Sequence, residues 1–372
     1  MDEFGSYEDV RVKTIEETDK KCTECGGTLD FDPKTGGLKC PYCGHTQEIN
    51  APGDSGSDAL RSVMEADFDS AEKTGNFDWG TEKKSVVCKS CGAESVYDAL
   101  MVSNVCPYCG SNQVTEAKGE KTLAPGGVCV FKVDSNQAGA NFKRWIAGKW
   151  FCPSAAKERA QPKSFTGIYL PYWTFDTDTK SRYEGEYGIY RKRKTKDDKE
   201  ETYTEWHNTR GLYTEFIDDQ LVSGIDPKRK ETSIWSLAEP FNTADNVLYK
   251  PEYVAGFVAE RYSVGIKDAW EKAKAFIAAK LRGNIGRKIE HDNNANTSKV
   301  HHVDTTYQNV KYKYLLLPVW VSAFKYNDKT YQFVVNGQTG KVGGQTPISA
   351  IRVGIAVVLV AAVIGAIWYF SR

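Results

Sequence analysis

The sequence predicts a multidomain chain: two small four-cysteine zinc ribbons, then an aromatic-rich α+β body, then a single C-terminal transmembrane helix. Three observations predict it. One cysteine constellation occurs twice, the middle of the chain is dense in aromatic and β-branched residues, and the last segment is an unbroken apolar run. At roughly 150 residues per domain, 372 residues leave room for two or three domains. Hydrophobic residues at 40% and aromatics at 12% exclude a disordered chain. A mean hydropathy of −0.51 excludes a polytopic membrane protein. Lys plus Arg and Asp plus Glu both number 49, so no global field steers the chain toward nucleic acid. The expected divisions are 1–50 (first ribbon), 51–81 (linker), 82–118 (second ribbon), 119–250 (β-rich α+β domain), 251–349 (second α+β subdomain) and 350–372 (anchor).

The chain opens Met1-Asp2-Glu3-Phe4 and continues acidic and polar. Without a basic stretch followed by an apolar one, no secretory signal is expected. The cysteines follow. Cys22-x2-Cys25 and Cys40-x2-Cys43 stand fourteen residues apart, and Cys88-x2-Cys91 and Cys106-x2-Cys109 repeat that spacing. Pro41-Tyr42 recurs as Pro107-Tyr108, and Gly26, Gly44, Gly92 and Gly110 each follow the second cysteine of a pair. A C-x2-C turn brings two thiolates to one side, so two turns complete a tetrahedral all-sulfur site. The glycine lets the backbone take positive φ. Four thiolates at about 2.3 Å leave zinc no open position, which makes the site structural and not catalytic. The expectation is two Zn2+ per chain, on Cys22, Cys25, Cys40 and Cys43 and on Cys88, Cys91, Cys106 and Cys109. Iron in a rubredoxin-like site and paired disulfides are the alternatives. Cys129 and Cys152 lie among apolar neighbours and read as buried thiols.

Zinc ribbons invite a nucleic-acid reading, but charge argues against it. Over residues 20–48, Lys20, Lys21, Lys34 and Lys39 face Glu24, Asp30, Asp32 and Glu48. Over residues 82–110, Lys83, Lys84 and Lys89 face Glu82, Glu94 and Asp98. Phosphate binding needs a basic footprint, and neither segment has one.

In the linker, Ala51 to Ser57 is a flexible tract and Ala59 to Ala71 a weak helix. In the body, Asn136 reads as the cap of a helix running to Trp150. Ser154 reads as an N-cap after Pro153. Ile168 to Phe175, Tyr183 to Tyr190 and Thr202 to Phe216 read as strands. The run Arg191-Lys-Arg-Lys194, followed by Asp197, Asp198, Glu200 and Glu201, reads as a solvated hairpin tip. Ala269, Trp270, Ala273, Phe276, Ile277 and Leu281 mark one helix face that Gly283 would stop. A polar loop over 291–299 precedes strands at Val310–Phe324 and Tyr331–Val335, with Asn336-Gly337 as a tight turn. Leu317-Pro-Val-Trp320 echoes Leu170-Pro-Tyr-Trp173, a short hint of duplication.

A search for catalysis finds little. The five histidines (His45, His207, His291, His301, His302) form no recognisable pair with a cysteine or acid. Asp176 and Asp178 read as solvated turn acids. Ser154-x-x-Lys157 and Lys34-Thr35-Gly36 only mimic acyl-enzyme signatures, and there is no Walker or dinucleotide-binding motif. The chain is read as not an enzyme.

From Val353 to Phe370 no residue is charged. As a helix this run spans about 27 Å, close to the ~30 Å hydrocarbon thickness. Trp368, Tyr369 and Phe370 close it with interfacial aromatics, and it lacks the polar stripe of a core helix. A tail anchor is expected. The reducing chemistry that thiolate cages need, with no export signal, puts the body on the cytosolic face of a plasma membrane.

The two ribbons, Gly167-Ile-Tyr-Leu-Pro-Tyr-Trp-Thr-Phe-Asp176, Leu315-Leu-Leu-Pro-Val-Trp320 and Val335-Asn-Gly-Gln-Thr-Gly-Lys-Val342 together carry a resemblance. The chain resembles bacterial membrane-anchored TFIIB-type zinc-ribbon proteins, often labelled primosomal or helicase-like. No helicase motor motif is present here. The resemblance implies protein partners of the SPFH-domain or PspA type in envelope-stress systems, and it supplies no catalytic residues. The function expected is a non-enzymatic, tail-anchored adaptor that recruits proteins and is possible as a homo-oligomer. A membrane-tethered nucleic-acid binder is the alternative.

Overall fold

The computed structural model describes residues 21–49, 65–68, 83–89, 94–98, 114–116, 123–160, 165–194, 200–228, 232–327 and 329–370. Two long strands organise it, β9 (Thr166–Lys194) and β13 (Thr297–Tyr326), paired antiparallel from Thr166/Val321 to Gly188/Thr297. At about 3.3 Å per residue each reaches roughly 95 Å. The return strand β10 (Glu200–Ser223) pairs with β9 on its other edge. The expected strands Ile168–Phe175, Tyr183–Tyr190 and Val310–Phe324 are therefore pieces of these two long ones.

The near half of this sheet is the core. Gly167 to Thr177 and Tyr312 to Ser322 are buried without interruption. Side chains alternate between faces. Tyr169, Trp173, Phe175, Tyr314 and Trp320 join one apolar cluster, and Ile168, Leu170, Tyr172, Leu315, Leu317 and Val319 join another on the opposite face. The far half is a three-stranded ribbon. Its one covered face lies under the helix Ile266–Asp292, which buries Ile277, Leu281, Ile285 and Ile289. Ile285 and Ile289 pack against Tyr183, with Tyr187, Tyr213, Val300 and Val303 around them. Gly283 lies exposed inside this helix and does not stop it, because the apolar face continues past it through Ile285 and Ile289 at a cost of about 1 kcal/mol for the glycine. The expected loop at 291–299 shrinks to four residues before β13 begins.

The body is built from one arrangement used twice. Strand β8 (Gly127–Cys129) leads to helix α1 (Ser135–Ala147), then through the short helix α2 (Ser154–Arg159) to β9 and β10. Strand β12 (Val258–Glu260) leads to α3 (Ile266–Asp292), β13 and β14 (Lys329–Asn336). The lead strands are exchanged: β8 pairs parallel with β13, and β12 pairs parallel with β9. The two Leu-Pro-x-Trp motifs face each other across the pair, with Leu170 opposite Leu317. A sequence boundary at residue 250 therefore cuts through one continuous sheet and does not separate two bodies.

Four smaller expectations are corrected. Asp134, not Asn136, caps α1: its Oδ1 accepts from the Gln137 N–H at 2.8 Å, and Gln137 Oε1 accepts from the Asp134 N–H at 3.0 Å. Ser154 opens α2 without capping it, and its hydroxyl accepts from Arg352 at 2.7 Å. The Asn336-Gly337 turn is a four-residue connection, closed by Asn336 N–H on the Lys341 carbonyl, and its positive φ falls on Gly340. It leads to β15 (Val342–Gly344). Ala66–Asp67 of the expected linker helix is a short strand, β4, paired with Lys311 and Tyr312 of β13. Residues 59–64 and 69–71 of that helix lie outside the described residues, as does the tip 195–199. Below that tip Arg191, Lys192 and Arg193 pair with Glu205, Glu200 and Glu201 across the two strands.

The chain ends in α4 (Ala350–Phe370), a helix long and apolar enough to cross a membrane, with none of its apolar window buried against the body.

Candidate metal centre

Strands β1 (Asp30–Asp32), β2 (Gly37–Lys39) and β3 (Thr46–Gln47) form a small antiparallel sheet that holds two cysteine turns together. The first turn is closed by the Gly26 N–H on the Cys22 carbonyl at 2.8 Å, the second by the Gly44 N–H on the Cys40 carbonyl at 3.0 Å. Both glycines have positive φ, +72° and +80°, as the spacing requires. The sulfurs of Cys22 and Cys43 lie 3.5 Å apart, as do those of Cys25 and Cys40. All four fall within 4.8 Å of one another. Four thiolates sharing one ion at about 2.3 Å stand about 3.8 Å apart, so this geometry is compatible with one tetrahedral metal site.

The electrostatics favour a cation as well. Backbone N–H groups of Cys43 and Tyr42 aimed at Cys40 bring its thiol down to about 6, against the opposing effect of burial. The His45 amide pulls Cys43 down too, but the adjoining Cys22 thiol and burial outweigh it and push it up to about 12. The Cys25 thiol is raised as well, so Cys25 and Cys43 hold protons that a bound cation would displace. His45 stays outside the set. Its carbonyl accepts from the Cys40 N–H at 2.8 Å, and its ring lies 3.3 Å from the Thr23 hydroxyl.

The cage is fixed to the body. Phe31 packs edge-on against Tyr253 with centroids 5.9 Å apart, and its N–H donates to the Ala255 carbonyl at 3.1 Å. Lys34 pairs with Asp134, the α1 cap, at 3.1 Å. Gly256 has φ +77°, and a Cβ there would stand 2.7 Å from the Asp30 carboxyl carbon.

The second cysteine set is only partly within the described residues. Cys88 ends β5 (Lys83–Cys88), which pairs with β6 (Glu94–Asp98) and β7 (Val114–Glu116). Cys91, Cys106 and Cys109 lie outside the described residues, as do Gly92 and Gly110. This small sheet joins the main one where β6 pairs with β12. Cys129 and Cys152 are buried, and burial pushes Cys129 up to about 12.

Sequence reasoning missed one charged group. Asp176 is 1% exposed and is not a solvated turn acid. Bulges in β10, between Ile217 and Gln220, and in β13, between Gln308 and Lys311, face it from both sides. Its Oδ1 accepts from the Asp219 N–H at 2.6 Å, and Asp219 itself pairs with Lys313 at 2.7 Å. Carboxylate oxygens of Asp176, Asp218 and Asp219 lie within 4.8 Å of one another. Asp178, two residues on, is exposed and accepts from Asn309 Nδ2 at 2.8 Å. The paired bulges were the signal, and a bulge leaves no mark in apolar periodicity. The histidines sit on the surface: His301 lies 3.6 Å from Glu186, and the His207 ring stacks on Tyr187 at 5.0 Å.

With that geometry in place, the chain can be set beside known proteins. It is 27% identical over 341 residues to the uncharacterized protein YdjG of Bacillus subtilis strain 168, covering 88% of this chain and 90% of the relative. No family model and no solved structure matches it.

Proposed function

We propose that the chain is a membrane-tethered zinc-ribbon adaptor that recruits protein partners and does no chemistry of its own. The observation that carries it is the closed cage of Cys22, Cys25, Cys40 and Cys43, whose four sulfurs leave a metal no place for a substrate. These four would hold one Zn2+, and Cys88, Cys91, Cys106 and Cys109 a second; zinc there would supply folding energy to a small module with little core. The apolar helix Ala350–Phe370 would hold the body at a bilayer. The body would face the cytosol, because thiolate cages need a reducing compartment. By resemblance the partners are SPFH-domain or PspA-type envelope-stress proteins.

The test is purification of the full chain from native membranes in mild detergent after cross-linking. Two zinc ions per chain and a co-purifying SPFH- or PspA-type protein are expected. Recovery of nucleic acid alone, with affinity falling steeply as salt rises, would replace this reading with that of a tethered nucleic-acid binder.

A further inference from the structure

We propose that Trp150, Phe151 and Ile348, in a region whose 140–160 segment carries Lys143, Lys149 and Lys157, form a surface that rests on an anionic phospholipid leaflet where α4 enters it. The inference rests on the reading of α4 as membrane-spanning.

Arg352, in the first turn of α4, fixes the level of this surface. Its Nη1 donates to the carbonyls of Trp150 at 2.6 Å and Cys152 at 2.8 Å, and its Nη2 to the Ser154 hydroxyl. The Ser349 N–H adds a bond to the Phe151 carbonyl at 2.9 Å. The connector between α1 and α2 is thus bolted to α4 one residue before its uncharged run begins at Val353.

The side chains on that connector suit the boundary between water and lipid. Trp150 is 50% exposed, Phe151 46% and Ile348 71%. Trp150 and Phe151 meet edge to face at 4.9 Å, so they present one joint apolar edge. Exposed aromatics level with the end of an apolar span are the pattern of the interfacial belt. Charge selects the kind of lipid. Residues 140–160 carry Lys143, Arg144, Lys149, Lys157 and Arg159 against Glu158, five positive charges less one negative, or +4, while the whole chain is neutral. Each cation held near an anionic surface is attracted to it, so a segment of this balance distinguishes an acidic leaflet from a zwitterionic one.

The test reconstitutes the full chain in vesicles of phosphatidylcholine alone or mixed with phosphatidylglycerol, containing lipids brominated at shallow or deep chain positions. The emission of Trp150 is the difference between wild type and Trp150→Phe, and that of Trp368 in α4 comes from Trp368→Phe in the same way. Shallow bromines should quench Trp150 more strongly than deep ones, and more strongly in the phosphatidylglycerol mixture than in pure phosphatidylcholine. Lys143→Gln/Lys149→Gln/Lys157→Gln should abolish the difference between the two lipids. Trp150 unquenched while Trp368 is quenched overturns the surface and leaves the anchor standing. A blue-shifted but unquenched Trp150 shows a protein covering the patch, and also overturns it. If Trp368 is unquenched too, the anchor itself fails.

Discussion

Trp320 donates its indole N–H to the carbonyl oxygen of Val133, 2.8 Å away across 187 residues of chain. Trp173 makes the same bond to Val264, at 2.9 Å. Val133 and Val264 each stand two residues before a helix, α1 and α3. Each tryptophan belongs to one βαββ arrangement and ties down the helix entry of the other. The short echo of Leu-Pro-x-Trp is thereby part of a reciprocal pair of units, and neither unit closes its core alone.

Because the two bonds are equivalent, their losses should be similar. Trp320→Phe and Trp173→Phe each keep an aromatic ring but leave a carbonyl without its indole donor, buried at Val264 and partly buried at Val133, at a cost of about 1–3 kcal/mol. Chemical denaturation should give matching shifts in midpoint. A shift confined to one variant would argue against equivalent roles.

The proposed metal at Cys22, Cys25, Cys40 and Cys43 can be tested by removing one ligand. Cys40→Ser removes one of the four sulfurs gathered at the first cluster, so on the zinc reading proposed above elemental analysis should find one metal ion per chain fewer than in the wild type. Acidification should release the metal as thiolates take up protons. The variant should also lose protection in hydrogen exchange at Phe31, whose N–H is bonded to Ala255.

Gly256→Ala tests how the cage is seated. Its positive φ and its closeness to Asp30 both resist a side chain. A destabilisation of about 1–3 kcal/mol is expected, with the zinc content unchanged and proteolysis between the cage and the body faster.

Asp176 supplies a pH dependence of defined sign. Burial raises its pKa from 3.8 to about 6, with Glu65 adding to the rise, against the Asp219 N–H and Lys313. Between pH 4 and 6 the folded chain therefore holds a proton that the unfolded chain has lost. Its contribution to stability is complete below about pH 4 and is lost as pH rises through 6. Asp176→Asn should remove that slope and raise the melting temperature at pH 7. A variant less stable at pH 7 would show that the ionised carboxylate is needed there.

The parts legible in the sequence are those set by spacing or by an unbroken run. Two C-x2-C turns with their glycines specify a cage locally, and eighteen uncharged residues specify an apolar helix. Aromatic alternation located the near halves of β9 and β13. Their far halves were not legible at full length, because a ribbon covered on one face by a single helix carries Thr, Glu, Lys and Arg on the other. Gly283 misled because an exposed helical position tolerates glycine. Asp134 was passed over for Asn136 because both are good caps, and only the reciprocal bond with Gln137 decides between them. Asp176 could not be recognised as buried, since two bulges on other strands enclose it.

The continuity of β9 from ribbon to core, beside a β13 interrupted only by bulges, has a mechanical consequence. Thr166–Lys194 and Thr297–Tyr326 each run as one strand from the tip region to the buried centre. A load applied near the tip would run along β9 as along a lever arm to Trp173 and the helix entry it holds at Val264. A protein that grips the tip would pull on the centre of the molecule.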